Sequence, residues 1–486
     1  MKLFQRTPLL EQEGSGTFWQ CRSGHLGWSG QKVPDPFCRV GRVVTIEELA
    51  ANAAIDTVVV AFTDHYGRLL GKRFDAGFFA ETVREGTHAC DYLLTVDMEM
   101  EPIPGFEFAS WDEGYGDVHL VPDLTTIRRA GWTDDVALVL CDVVGRDTHG
   151  LVPIAPRTIL RRQVERLAEH GIVAQAASEL EFYVYDDTYR EAHDRGYTDL
   201  RPAGWYVDDY HLLQASRIEP YVGAARRALT ASNIPVENSK GECGRGQHEL
   251  NIRFADALTM ADRHTVMKHG MKELADAMGI SVSFMAKPTT TDTGSSSHLH
   301  LSLWAGDTNL CGVGDERSTT FDHFLAGWMA YVDDLMVCYA PTVNSYKRYV
   351  DGSWAPTRVA WSSDNRTASF RVVGHGQSRR VECRIPGADC NPYLAYAGAI
   401  AAGLAGIEAQ LPLPPEFRGD VYAAADLPRV PRTLEHATDL FDASTVARAA
   451  FGDDVVDHYA HFHRSEVEAH HAAVSDWERR RYFERI

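Results

Sequence analysis

No stretch of the chain approaches the ~18 consecutive apolar residues of a membrane span, and the opening MKLFQRTPLLEQEGSGTFWQ lacks a signal-like apolar run; a soluble cytoplasmic protein is expected. Positive charge is short. The 48 Lys+Arg against 68 Asp+Glu leave a net −20, the wrong sign for a nucleic-acid-binding face. The nine cysteines are scattered, odd in number and never at CxxC spacing, which excludes a disulfide framework and fits a reducing compartment. Glycine (39) and proline (21) are ordinary and no repeat or low-complexity tract stands out, so fibrous and disordered classes are excluded. Standard nucleotide loops are missing too. Gly67 to Lys72 falls one residue short of the phosphate-loop spacing and is followed by Arg73, and Gly374-His-Gly376 is too isolated for a dinucleotide fingerprint.

What is present is a 486-residue chain with 44% hydrophobic residues, enough for a large core in two or more domains. Residues 1–43, rich in Gly, Ser and Gln, read as an irregular extension. Thr45 is placed to cap a helix over IEELAANA, and TVVVAFTDHYGRLLGKRF reads as a hairpin turning at His65 to Gly67. Strands follow over VHLVPDLTTIRRAGW and VALVLCDVVGRD, so residues 44–148 form a small mixed domain. Pro156 opens a helix that Gly171 closes, and residues 149–486 read as one large α+β domain.

The chemistry lies in four alternating segments. Glu179 and Glu181 share one face of a strand whose other face carries Leu180 and Phe182. Glu249-Leu-Asn-Ile-Arg-Phe254, His298-Leu-His-Leu-Ser-Leu303 and Val381-Glu-Cys-Arg-Ile385 repeat the pattern. An exposed antiparallel strand alternates in the same way, but it tends to carry Lys, Thr and Ser. Carboxylates and histidines are costly to crowd without a cation. Carboxylates at Glu179, Glu181, Glu242, Glu249 and Glu382, with His298, make two oxygen-rich sites suited to Mg²⁺ or Mn²⁺ rather than zinc. Between Arg348 and Arg384 lie seven arginines against Asp351, Asp364 and Glu382, a local excess that calls for an anionic target such as phosphate or carboxylate.

These segments, ASELEF, GECGRGQHE, KPTTTDTGSSSHLHLSL, NSYKR, NRTASFR and RRVECRIPGADCNPYLA, occur in the order of the active-site motifs of glutamine synthetases, and roughly residues 44–486 resemble that family. The resemblance implies a β-grasp N-terminal domain before a catalytic domain with a funnel-shaped half-barrel of antiparallel strands flanked by helices. It implies homo-oligomeric stacked rings, commonly a dodecamer of two hexamers, with each active site completed by the neighbour's N-terminal domain. ATP, glutamate and an amine would be substrates, with two or more Mg²⁺ or Mn²⁺ per site. One ion would lie among Glu181, Glu242 and Glu249, the other among Glu179, His298 and Glu382. Phe254 would face adenine, with Glu237, His300 and Ser302 nearby. Arg366, Arg371 and Arg380 would bind phosphates, with Arg366 acting in catalysis, while Gly294, Arg348 and Arg384 would hold glutamate. Asp91, from the neighbouring subunit, would help deprotonate the incoming nitrogen.

The sequence departs from the family pattern on the nitrogen side. Trp354 stands where the pattern has an ammonium-binding glutamate, and Thr293-Gly294 replaces Asn-Gly. An indole cannot neutralise ammonium as a carboxylate does but offers apolar area to a larger amine. The expectation is therefore a γ-glutamyl amide ligase using an organic amine: an alkylamine, ethanolamine, a polyamine or an aromatic amine. The alternatives are an ordinary glutamine synthetase, and a ring protein that has lost catalysis, which the six intact ligand positions argue against. Lys240-Gly241 replaces a His pair without an evident reason, and Tyr422 lies near the place where some relatives are adenylylated.

Overall fold

Two β-sheets organise the chain, and each grows from the alternation described above. The computed structural model describes residues 55–314 and 316–486; the helix expected after Thr45 and the extension 1–43 lie outside them. The first sheet uses β1 (Thr57–Thr63), β2 (Leu69–Asp75), β3 (Thr87–Cys90), β4 (Asp117–Pro122) and β5 (Val136–Gly145), in the order β2-β1-β5-β4-β3. β1 and β2 form the expected hairpin, with Thr63 opposite Leu69, and β1 pairs parallel with β5. Edge strand β3 has no signal in the sequence, because four half-buried residues are too few to show a period.

Helix α1 (Pro156–Glu169) starts at its proline, which supplies the fixed φ of a first turn, and Gly171 follows at φ +71°. The second sheet contains β6 (Val173–Tyr185), β7 (Val236–Gly241), β8 (Gln247–Ile252), β9 (Ser297–Ala305), β10 (Trp361–Ser363), β11 (Phe370–Val373) and β12 (Arg380–Cys383). Their order is β10-β11-β12-β9-β6-β8-β7. The sheet is curved and antiparallel except at its β10–β11 edge, which pairs parallel. α2 (Ala257–Ala277) packs against β6, and α3 (Pro392–Glu408) packs on α1 and α2 and meets β6 where Tyr396 OH lies 2.7 Å from Ser178 Oγ. α3 is apolar nearly all round and almost wholly buried, as a helix in the middle of a core must be. The α+β class and the small N-terminal β domain agree with the sequence reading.

Both sheets share one continuous core within the unit Val40–Ile486. A buried ionic knot crosses it. The Arg157 guanidinium donates to Asp123 (2.7 Å) and Asp142 (2.5 Å), and in a fork to both oxygens of Asp262 (3.0 Å each). Tyr393 at the start of α3 also donates to Asp262 (2.6 Å). α1, α2, α3 and the first sheet therefore meet on one arginine.

Candidate active site

Strand register assembles the polar face into a site. Glu179 pairs with His298, Glu181 with Glu249, His300 with Glu382, and Arg371 with Glu382 across neighbouring strands. Residues far apart in sequence thereby become direct neighbours on one face. The face lines a cavity of about 760 Å³. Glu179, Glu181, Glu242, Glu249, His298, Thr293, Gly294, Arg348, Trp354, Arg366, Arg371 and Arg384 all reach it.

Besides Asp209, Glu242 and Cys243, two groups built on the expected carboxylates can hold cations. Glu181, Glu242 and Glu249 offer oxygens within 4.8 Å of one another, as do the ligand atoms of Glu179, His300 and Glu382. His298 Nδ1 also approaches the second pair, at 3.2 Å from Glu179 and 3.5 Å from Glu382. The first group is aimed by its neighbours: Ser296 N donates to Glu181 at 2.8 Å and Asn251 Nδ2 to Glu249 at 2.9 Å. Burial, and then the charges of Glu179, Glu242 and Glu181, push the Glu249 carboxyl well above its usual range despite the opposing pull of Lys240. Burial and Glu242 likewise raise Glu181. In the second group burial pushes Glu382 up, but Arg384, His298 and His300 outweigh it and hold it down to about 2. Three crowded carboxylates, two of them partly offset by Lys240, form a donor set that fits a hard divalent ion.

The arginines divide by partner. Arg371 is tied to Asp364 and Glu382, and Arg384 to Glu382. Arg366 is exposed and has no carboxylate partner among the described residues. Arg348 is buried, its two terminal nitrogens donating to the carbonyls of Ile385 (2.6 Å) and Arg384 (2.8 Å). Its close neighbour must be glycine: a Cβ on Gly294 would stand 2.7 Å from both the Ala286 carbonyl and Arg348 Cγ.

Trp354 is 53% exposed and adopts φ +66°, a left-handed conformation that costs a bulky residue energy. Its loop is pinned on both sides. Ser353 Oγ donates to the Val350 carbonyl (2.6 Å), and Tyr422 OH to the Ala355 carbonyl (3.1 Å).

Other expected residues stand behind the cavity or away from it. Arg380 Nε donates to His300 Nδ1 (3.1 Å), His300 Nε2 lies 2.9 Å from Glu179, and Ser302 accepts from Trp304 (2.8 Å). Glu237 and Phe254 are exposed at the ends of β7 and β8. Asp91 lies in the first sheet's domain, accepts from Gly116 N (2.8 Å) and does not line the cavity of its own chain. Sequence reasoning missed Asp209, Tyr210 and Cys243, which do line it. Asp209 and Tyr210 sit in an irregular stretch that offers no periodicity to read.

Residues 153–482 match the model of the glutamine synthetase catalytic domain. Gamma-glutamylethanolamide synthetase GlnA4 of Streptomyces coelicolor is 48% identical over 462 residues, 94% of this chain and 99% of that protein. Glutamate–isopropylamine ligase of a Pseudomonas species is 34% identical over 457 residues, 92% of this chain and 98% of its own length. A solved GmaS/ADP complex superimposes with a TM-score of 0.79 at 27% identity, covering 90% of this chain and 99% of that one. The ordered motifs, the cation-ready carboxylate face and these likenesses agree: the chain belongs to the glutamine synthetase family, as an ATP-dependent glutamate–amine ligase.

Proposed function

We propose that the enzyme joins glutamate to a small organic amine, of the ethanolamine or short alkylamine class, rather than to ammonia. The observation that carries this reading is Trp354, which presents a half-exposed indole to the cavity where the family pattern places an ammonium-binding carboxylate. The two relatives above, whose names specify ethanolamine and isopropylamine, support it.

In this reading Glu181, Glu242 and Glu249 hold one divalent ion, and Glu179, His298 and Glu382 hold the other. When bound, these ions offset the charge of the ATP phosphates. His300 lies within reach of the second ion's carboxylates and links them to Arg380. Glu237, Phe254 and Ser302 border the nucleotide. Arg348 and Arg384, with the Gly294 backbone, orient glutamate so that its γ-carboxylate oxygen attacks the terminal phosphorus of ATP in line. ADP leaves, and γ-glutamyl phosphate forms. Arg366, Arg371 and Arg380 stabilise the charge that spreads over the transferred oxygens. The amine nitrogen then attacks the γ-carbon, phosphate departs and one proton leaves the nitrogen, with Asp91 of a neighbouring subunit as acceptor. That role requires the ring assembly, for which we propose two stacked hexamers.

The test is ATP-dependent phosphate release, with mass-spectrometric identification of the γ-glutamyl product, at fixed glutamate across ammonia, ethanolamine, alkylamines, diamines and an aromatic amine. Ethanolamine or a short alkylamine should give the highest kcat/KM. Glutamine formation from ammonia that no organic amine exceeds would make the protein an ordinary glutamine synthetase.

A further inference from the structure

Lys240 and Gly241 differ from the family pattern, and the structure gives the pair a physical context. In the β7–β8 register Lys240 stands opposite Glu249. Its ammonium donates to Glu242 Oε1 and lies 3.7 Å from Glu249 Oε2. Two of the three carboxylates assigned above to the first divalent ion therefore already share a cation. On the other side of the ammonium lies the face of Tyr210, whose ring centroid is 4.7 Å from Nζ. Gly241 makes that approach possible. A Cβ there would stand 2.6 Å from Asp208 Cβ and 2.9 Å from its carbonyl oxygen, so only glycine lets the Asp208–Tyr210 loop close against β7.

A divalent ion on Glu181, Glu242 and Glu249 needs oxygens that the ammonium now engages. Two cations cannot crowd the same oxygens, and lysine has the means to leave: a flexible four-carbon stem and a strongly hydrated head. We propose that Lys240 is a tethered counter-ion. It holds Glu242 and Glu249 until the metal arrives, then swings towards Tyr210 and the incoming phosphates. This inference rests on the metal-site assignment above. Two consequences follow. Metal binding to the nucleotide-free enzyme is weakened by the need to displace the lysine. Nucleotide strengthens it, because phosphate charge receives the displaced ammonium, so metal and nucleotide bind with positive coupling.

The experiment is a Mn²⁺ titration followed by electron paramagnetic resonance on the intact protein, with and without ADP. It compares wild type, Lys240→Met, Lys240→Gln and Lys240→Arg. The neutral variants should bind the first Mn²⁺ about ten- to hundredfold more tightly without nucleotide, the scale of one charge-assisted hydrogen bond. ADP should then add less to the affinity than it does in wild type. Lys240→Arg, which keeps the charge, should stay near wild type. In chelator the neutral variants should melt below wild type and gain more from Mn²⁺. Equal or weaker Mn²⁺ binding in both neutral variants would overturn the counter-ion role while leaving the metal site standing. If none of the four proteins bound Mn²⁺, the carboxylate site itself would fall and this inference with it.

Discussion

Replacing Trp354 by glycine separates what the indole does for the amine from what it does for its loop. Most tryptophan truncations confound the two, but here the backbone sits at φ +66°, which glycine adopts without the cost a large side chain incurs. The loop also has its own fastenings. Besides the Ser353 and Tyr422 bonds, Asp351 accepts from Thr357 Oγ1 and from Arg429 (2.7 Å). Trp354→Gly should therefore fold with an unchanged or slightly raised melting temperature. About half of the residue's surface is exposed and the residue lines the cavity, which leaves room for one or two methylenes to pack against it. At about 0.8 kcal/mol per buried CH₂, losing that contact should cut kcat/KM for ethanolamine or a short alkylamine by about 4- to 15-fold. The value for ammonia, which has no carbon to bury, should scarcely move. Trp354→Glu should go further and shift preference towards ammonia by supplying a carboxylate. The assay is phosphate release at saturating ATP and glutamate with each nitrogen donor varied. If the two donors fell together, or their ratio stayed at the wild-type value, the indole would not be a wall of the amine site.

The site and the fold give further expectations. Glu181→Ala or Glu382→Ala should abolish turnover at saturating Mn²⁺ while light scattering still shows the assembled oligomer, since each removes a carboxylate from a cation group; near-normal turnover would clear that residue of a metal role. Arg366→Ala should lower kcat far more than it raises the glutamate KM, because its exposed guanidinium, with no carboxylate partner among the described residues, can meet charge that grows in the transition state; a change confined to KM would refute this. Arg157→Ala should destabilise the protein by about 3–5 kcal/mol in urea, as Asp123, Asp142 and Asp262 would lose their shared cation; a loss under 1 kcal/mol would show that water or another base replaces it. Acid should unfold the protein through its buried histidines. Burial holds His65 and His264 well below the usual range and takes His458 and His463 down to about 3. These imidazoles stay neutral in the fold but protonate near pH 6.5 when unfolded, so stability is complete above that pH and falls as pH drops towards 3. For His458 and His463 this costs about 2 kcal/mol each by pH 5, and His458→Phe should flatten the pH dependence of the melting temperature between pH 7 and 5.

Why the face of the site was legible and its interior was not comes down to period and register. Alternation is a local property. Glu179 and Glu181, or His298 and His300, announce a shared face because a strand repeats every two residues. Which strand lies beside which is not local. Nothing in the order of residues sets Glu181 across from Glu249, or Arg371 across from Glu382; sheet topology does that. Lys240 shows the consequence most plainly. As a sequence departure it has no meaning, since a lone lysine two residues before a glutamate is usually a solvated side chain. Its cross-strand neighbour is a second carboxylate, and the glycine after it admits a loop from some thirty residues upstream. The loop itself, with Asp209 and Tyr210, was invisible because irregular chain has no period. Arg157 was hidden for the opposite reason. It sits in a helix whose apolar repeat was plain, and a charged residue there reads as outward-facing until three aspartates from other elements are found around it. Amine choice belongs with these non-local features. A tryptophan at position 354 is legible as a missing carboxylate, but the bearing on specificity we propose for it rests on a pinned, left-handed loop that brings the residue to a cavity built by other strands.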